Sequence, residues 1–196
     1  MRYFGSKMEQ INNNKIDRRI KKSDKALLNA MKELLKIKKL SKISVTELCE
    51  KADVCRNTFY SRYCFPEDVL KPYEDALFRE ITERILPSDD IDKLATFCRF
   101  LKENSDIAEI ISSPNYDNDV FEKIFELADK SNMLKLSTES YGKIAPFKKQ
   151  IISRFSIAGG AAILRTWIQC KMSETPETVS EYIVLLCNNG SSAIKE

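Results

Sequence analysis

The sequence predicts an all-α protein of about nine helices, with a small three-helix unit at the N-terminus and a larger helical bundle behind it. Three observations carry this. Five Gly and six Pro in 196 residues argue against a loop-rich β fold. Apolar residues recur at helical spacing rather than in strict alternation. Helix-start signals, a Ser-x-x-Glu and a Thr-Pro-Glu, stand where apolar stripes begin.

Residues 1–14 show no clear period and end in three Asn, and are expected to form a flexible arm. Leu27, Leu28, Met31, Leu34 and Leu35 then mark a first helix over about 18–38, with Ser23 or Asp24 as a cap. Ser44 and Glu47 form a capping box for a second helix of about two turns, with Leu48 and Ala52 inward. Asp53 and Val54 make a tight turn in which Asp tolerates the left-handed conformation. A third helix starts at Arg56. Two short helices joined by a tight turn behind a longer one are the helix-turn-helix layout. A fourth helix is expected from Pro66 to about 86, kinked or delayed by Pro72. The fifth, sixth and seventh are expected over about 90–103, 105–113 and 117–133. A loop near 133–145 precedes a long eighth helix, about 146–171. The ninth starts at Pro176 with Thr175 as its cap and runs to about 188.

Composition narrows the function. The chain has no His, which removes His-based acid/base and nucleophilic catalysis and most zinc sites. It has no paired acidic ExxH motif either, so no enzymatic activity, cofactor or metal is expected. The six Cys (49, 55, 64, 98, 170, 187) form no CxxC pair and are expected reduced. No apolar run approaches a membrane span and no apolar leader stands at the N-terminus, so a cytoplasmic location is expected. Charge is uneven. Residues 15–64 hold 14 Lys/Arg against six Asp/Glu, while the remainder holds 18 against 23. A basic head on a mildly acidic body suits a polyanion partner.

The third helix carries the chemistry. Phe59 and Tyr63, four apart, point inward, which leaves Arg56, Asn57, Tyr60 and Ser61 outward with Thr58 and Arg62 on the flanks. Arg and Asn read guanine and adenine edges in the major groove by paired hydrogen bonds. Tyr, Thr and Ser hydroxyls suit phosphate oxygens.

The segment ISVTELCEKADVCRNTFYSRYCFPEDVL, with Ala26 and Ala30 in the helix before it, resembles the N-terminal DNA-binding domain of the TetR family of bacterial transcriptional regulators. FSIAGGAAILRTWIQCKMSETPETVSEYI is similar to the last two helices of such regulators. The resemblance implies a DNA-binding domain over 15–66 and a ligand-binding and dimerisation domain over 67–196. It implies a homodimer on a near-palindromic operator, acting as a repressor and modulated by a small ligand. Carried over by position, the DNA-binding residues are Arg18, Arg19, Ser44, Val45, Thr46, Cys55, Arg56, Asn57, Thr58, Tyr60, Ser61 and Arg62, with Lys15 extending the arm. Three departures stand out. Asp53 replaces the usual turn Gly, Cys55 the usual hydroxyl cap, and Pro66 the usual phosphate-gripping Lys, for which Lys71 is the candidate substitute. Asp53 is tolerable in the turn, and Cys55 and Pro66 leave room for the alternative reading, a protein–protein adaptor or co-regulator with weakened DNA binding.

In the body, Gly159, Gly160, Ile163, Leu164, Trp167, Ile183 and Leu186 are the expected dimer interface, because small residues allow close helix approach beside an apolar stripe. Phe97, Leu101, Phe121, Phe125 and Phe155 are candidates for a ligand pocket, with core packing as the competing role.

Overall fold

The computed structural model describes residues 3–87, 92–116, 120–130 and 145–192, with side chains from residue 19 onward except at 129, 130, 191 and 192. Every regular element among these residues is helical: α1 Tyr3–Leu35, α2 Val45–Ala52, α3 Arg56–Tyr60, α4 Lys71–Arg79, α5 Lys93–Glu103, α6 Ser105–Ile111, α7 Val120–Lys130, α8 Pro146–Gln169 and α9 Pro176–Ser192. Short 3-10 turns lie at Leu40–Lys42 and Pro66–Val69, and a π turn at Glu80–Ile85. The chain divides into two compact units, Met1–Pro72 and Tyr73–Glu196.

In the first unit, α1 starts at Tyr3 rather than near residue 18, so the segment expected as an irregular arm is helical from that point. The chain has no Pro before residue 66, and once a helix is nucleated each further residue adds a backbone bond. Ser23 therefore caps nothing; its hydroxyl donates back to the Arg19 carbonyl at 3.0 Å. The stripe Leu27, Leu28, Met31, Leu34 and Leu35 is buried, and α1 packs on α2 through it. Leu48, Cys49, Phe59 and Tyr63 complete this core. Only half of the capping box forms. The Ser44 hydroxyl accepts from the Glu47 N–H at 3.2 Å, while the Glu47 carboxylate pairs with Lys38 at 2.8 Å. Asp53 takes the left-handed conformation (φ 53°, ψ 45°) and its N–H and that of Val54 close α2.

The helix expected from Pro66 is split. The Asp68 carboxylate accepts the N–H groups of Cys64 and Phe65, each at 2.8 Å, which holds Pro66–Val69 as a tight turn against α1. Regular helix begins at Lys71 with Pro72 in the first turn, where its missing N–H has no partner to lose. This turn packs on α1, and the first compact unit reaches Pro72.

In the second unit, α5 and α8 pack on α9, and α6 and α7 on α8. The Asp92 carboxylate caps α5 by accepting the Ala95 N–H at 3.1 Å. After α8 the chain turns through Lys171 and Met172, both at positive φ (60° and 52°). The Trp167 indole N–H donates to the Glu174 carbonyl at 3.1 Å across this turn. The Thr175 hydroxyl then accepts the Thr178 N–H at 3.2 Å and starts α9. Residues 131–144, where a loop was expected, lie outside the described residues.

The structure revises the inner face of α8. Gly160, Leu164 and Trp167 are buried within the unit, as is Ile183 of α9, so these four expected interface residues are core. A methyl group on Gly160 would sit 2.4 Å from the buried Phe125 ring, whereas one on Gly159 would meet nothing within 4 Å. Gly160 thus serves the approach of α7 to α8 inside one chain. Burial pushes the Cys98 thiol up to about 12 and raises those of Cys49 and Cys187, which keeps all three protonated and inert at neutral pH.

The two glycines should respond with opposite signs. Gly160→Ala is expected to destabilise by about 1–3 kcal/mol through overpacking, and Gly159→Ala to stabilise by about 0.5–1 kcal/mol through its helix propensity. Urea unfolding of both variants measures this, and equal effects would show that α8 is rotated from the orientation described.

Candidate nucleic-acid interface

The five residues of α3 are presented by what lies beneath them. Phe59 is fully buried and Tyr63 nearly so, their rings 5.5 Å apart. With that side inward, Arg56, Asn57, Thr58, Tyr60 and Ser61 are exposed together. Tyr60 stands edge-on to Phe59 at 5.5 Å and is 59% exposed, so it is braced by the core while facing water. The Ser61 hydroxyl donates to the Thr58 carbonyl at 2.7 Å, and the residue is exposed. One surface therefore carries a guanidinium, a carboxamide and three hydroxyls.

Beside α3, Ser44 and Thr46 are exposed at the start of α2, with Val45 half-buried. The N-terminal end of α2 offers backbone N–H donors to an anion, an arrangement suited to phosphate. Arg19 and Lys22 of α1 share a groove of about 700 Å³ with Ala52 of α2, Val54 of the turn, Thr58 of α3 and Ser61 just past it. Arg19 is exposed; the side chains of Lys15 and Arg18 lie outside the described residues.

One candidate follows the sequence expectation and one departs from it. Cys55 occupies the N-cap of α3 and makes no cap bond, as its weak sulfur acceptor implies. Arg62 bonds the Asp24 carboxylate of α1 and lies over the Tyr63 ring at 5.2 Å from its centroid. Nothing in the local pattern around Arg62 names this partner, which is 38 residues away. Lys71, the candidate substitute for a lysine at 66, is exposed at the first residue of α4. The N–H groups of Cys64 and Phe65 are occupied by Asp68, which leaves that turn poor in donors for a phosphate.

In the second unit, four of the five pocket candidates, Phe97, Leu101, Phe121 and Phe125, are fully buried core residues. Phe155 is 55% exposed. It belongs to an outer stripe of α8 that runs through Ile151, Phe155, Ala158 and Ala162. Tyr182, Leu185 and Leu186 form a matching exposed stripe on α9. The two stripes meet where the Phe155 ring lies against Gly190, 2.7 Å from where a β-carbon would stand. Of the expected interface residues, Leu186 belongs to this surface, and Gly159 and Ile163 flank it half-buried. Among the described residues, no helix is long and apolar enough to cross a membrane, and no group of three or more Cys, Asp or Glu could hold a metal ion.

Comparison with known proteins agrees with this layout. A TetR C-terminal family model, described as "Transcriptional regulator C-terminal region", matches residues 89–189, more than half of the chain. No curated protein matches the sequence. Among solved structures, a TetR transcriptional regulator from Streptococcus agalactiae 2603V superposes with a TM-score of 0.60 at 23% identity, covering 87% of this chain and 96% of that one. The dihydroxyacetone kinase operon activator DhaS, also 23% identical, covers 87% of this chain and 97% of its own at a TM-score of 0.45, too low to add to the assignment.

The two caps of the helix-turn-helix can be separated by mutation. Ser44→Ala should cost about 1 kcal/mol, and Cys55→Ser should gain up to about 1 kcal/mol by supplying the missing acceptor. Thermal melts followed by circular dichroism read both changes. No gain from Cys55→Ser would mean that the α3 N-terminus does not have the geometry described.

Proposed function

The chain belongs to the TetR family of transcriptional regulators, and from that premise we propose that it binds double-stranded DNA as a homodimer, one α3 in the major groove at each half of a near-palindromic operator. The observation that carries this reading is the exposed surface of α3, held outward by buried Phe59 and Tyr63. Arg56 and Asn57 are assigned to base edges; Ser44, Thr46, Thr58 and Tyr60 to the backbone; Arg19 and Lys71 to neighbouring phosphates. Bound at a promoter, such a dimer represses by exclusion. A small ligand that prefers a conformation with wrongly spaced heads would release it by population shift. The protein then works in the cytoplasm, where its DNA is.

The homodimer is assigned to the outer stripes of α8 and α9. Side chains as large as Phe155, Leu185 and Leu186 at about half exposure are costly in water, and they form one seam along two helices. Two such pairs across a two-fold axis bury the seam in a four-helix bundle. The adaptor reading is favoured by the uncapped Cys55 and by the Asp68 carboxylate over the turn where a phosphate-gripping group would stand.

Selection of bound sequences from random duplex DNA, followed by a salt titration of the winner, tests the function. An enriched inverted repeat with affinity falling steeply in salt is expected; no enrichment would put the adaptor reading ahead. On that operator, Arg56→Ala should cost about 1–3 kcal/mol and relax preference at one base pair. An equal loss on random DNA would reassign Arg56 to phosphate. Leu186→Glu should give a folded monomer in sedimentation. Trp167→Glu, which places a charge in the core, should unfold the second unit rather than separate two intact ones. A monodisperse dimer for Leu186→Glu would refute the seam.

A further inference from the structure

A helix of five residues does not hold its own orientation. Helices this short are marginal in water, and α3 lacks a side-chain bond at its N-cap. Phe59 fixes one point of it in the core. A single buried side chain leaves the helix free to pivot, and the face that would read bases pivots with it. A second fixed point lies just past the helix, at residues 62 and 63. The Asp24 Oδ1 oxygen of α1 accepts both an Arg62 guanidinium N–H and the Tyr63 hydroxyl, the latter at 3.1 Å. The guanidinium also stacks over the Tyr63 ring. Backbone bonds run from the Arg62 and Tyr63 N–H groups to the Phe59 carbonyl at 3.0 Å each, so the clamp and the buried anchor form one rigid piece. Asp24 sits one turn before the buried Leu27 and Leu28, where α1 enters the core. The Arg62 and Asp24 side chains retain 33% and 20% exposure, which shields the pair from much of the solvent screening that weakens surface ion pairs.

We propose that Asp24 and Arg62 are positioning residues that set the pitch of α3, and that Arg62, though it lies on the basic flank of the reading surface, does not contact DNA. The DNA arm of the test rests on the function proposed above; the other arm does not. In the free full-length protein, Asp24→Ala and Arg62→Ala should each speed hydrogen exchange at the amides of residues 62 and 63, and the double variant should exchange no faster than Asp24→Ala alone, which already removes both bonds to Asp24. On the duplex enriched from the random library, each single variant should weaken binding about tenfold, the double variant by about the same factor, and the slope of log affinity against log salt should stay at its original value. Asp24→Asn keeps the shape of the side chain and should lie between wild type and Asp24→Ala in both readouts, so a failure of the alanine variants to fold would not remove the test. A slope lowered by about one in Arg62→Ala would show that Arg62 neutralises a phosphate, and would overturn the proposal. Tighter binding by Asp24→Ala, or unchanged exchange in Arg62→Ala, would overturn it as well. If no duplex is enriched, the DNA reading fails and hydrogen exchange alone decides the clamp.

Discussion

Burial of Phe59 in the core beneath α3 is the contact on which the head depends. It removes an aromatic side chain from water, worth about 2–3 kcal/mol, and it does so from a helix too short to stand alone. Once residue 59 points inward, the helical period sends 57 and 61 to the opposite side, while 56, at the open N-terminal end of the helix, and 60, on its flank, are exposed beside them. The left-handed Asp53 sets the angle at which α3 leaves α2. The exposed polar side chains of that surface are thus presented by the buried ring beneath them.

The charge of the head is less available than its count suggests. Lys36 pairs with Glu33, Lys38 with Glu47 and Arg62 with Asp24. These cations still contribute to the long-range field that draws a polyanion in. At contact distance the exposed Arg19, Arg56 and Lys71 are placed differently from a cation held in a local pair. These contacts separate cations held in local pairs from exposed ones, where the raw excess of basic residues treats all of them alike.

In the second unit the same separation of inner and outer work falls on α8. The helix is apolar over most of its circumference, and two faces compete for the core. The absence of a side chain at Gly160 decides the contest, because the Phe125 ring occupies the space that a β-carbon would need. Leu164 and Trp167 follow Gly160 inward at helical spacing. The opposite stripe, from Ile151 through Phe155 to Ala162, is left to face outward next to the exposed residues of α9.

The helical class, the order of the elements and the inward side of α3 were legible in the sequence alone, because each rests on local periodicity or a local cap: the stripe of α1, Ser44 before α2, Thr175 before α9, Phe59 four residues from Tyr63. What needed the tertiary structure were the choices between locally equivalent options. Gly159 and Gly160 are neighbours of the same type, and only the ring packed beside one of them separates them. Arg62 reads as a flanking base in the chain and as the partner of Asp24 in the fold, since a contact across 38 residues leaves no periodic trace. Glu47 is a reciprocal cap by spacing and an ion-pair partner of Lys38 in space. Local physics determined which elements form; long-range packing decided which of their faces turn inward and which side chains stay free to act.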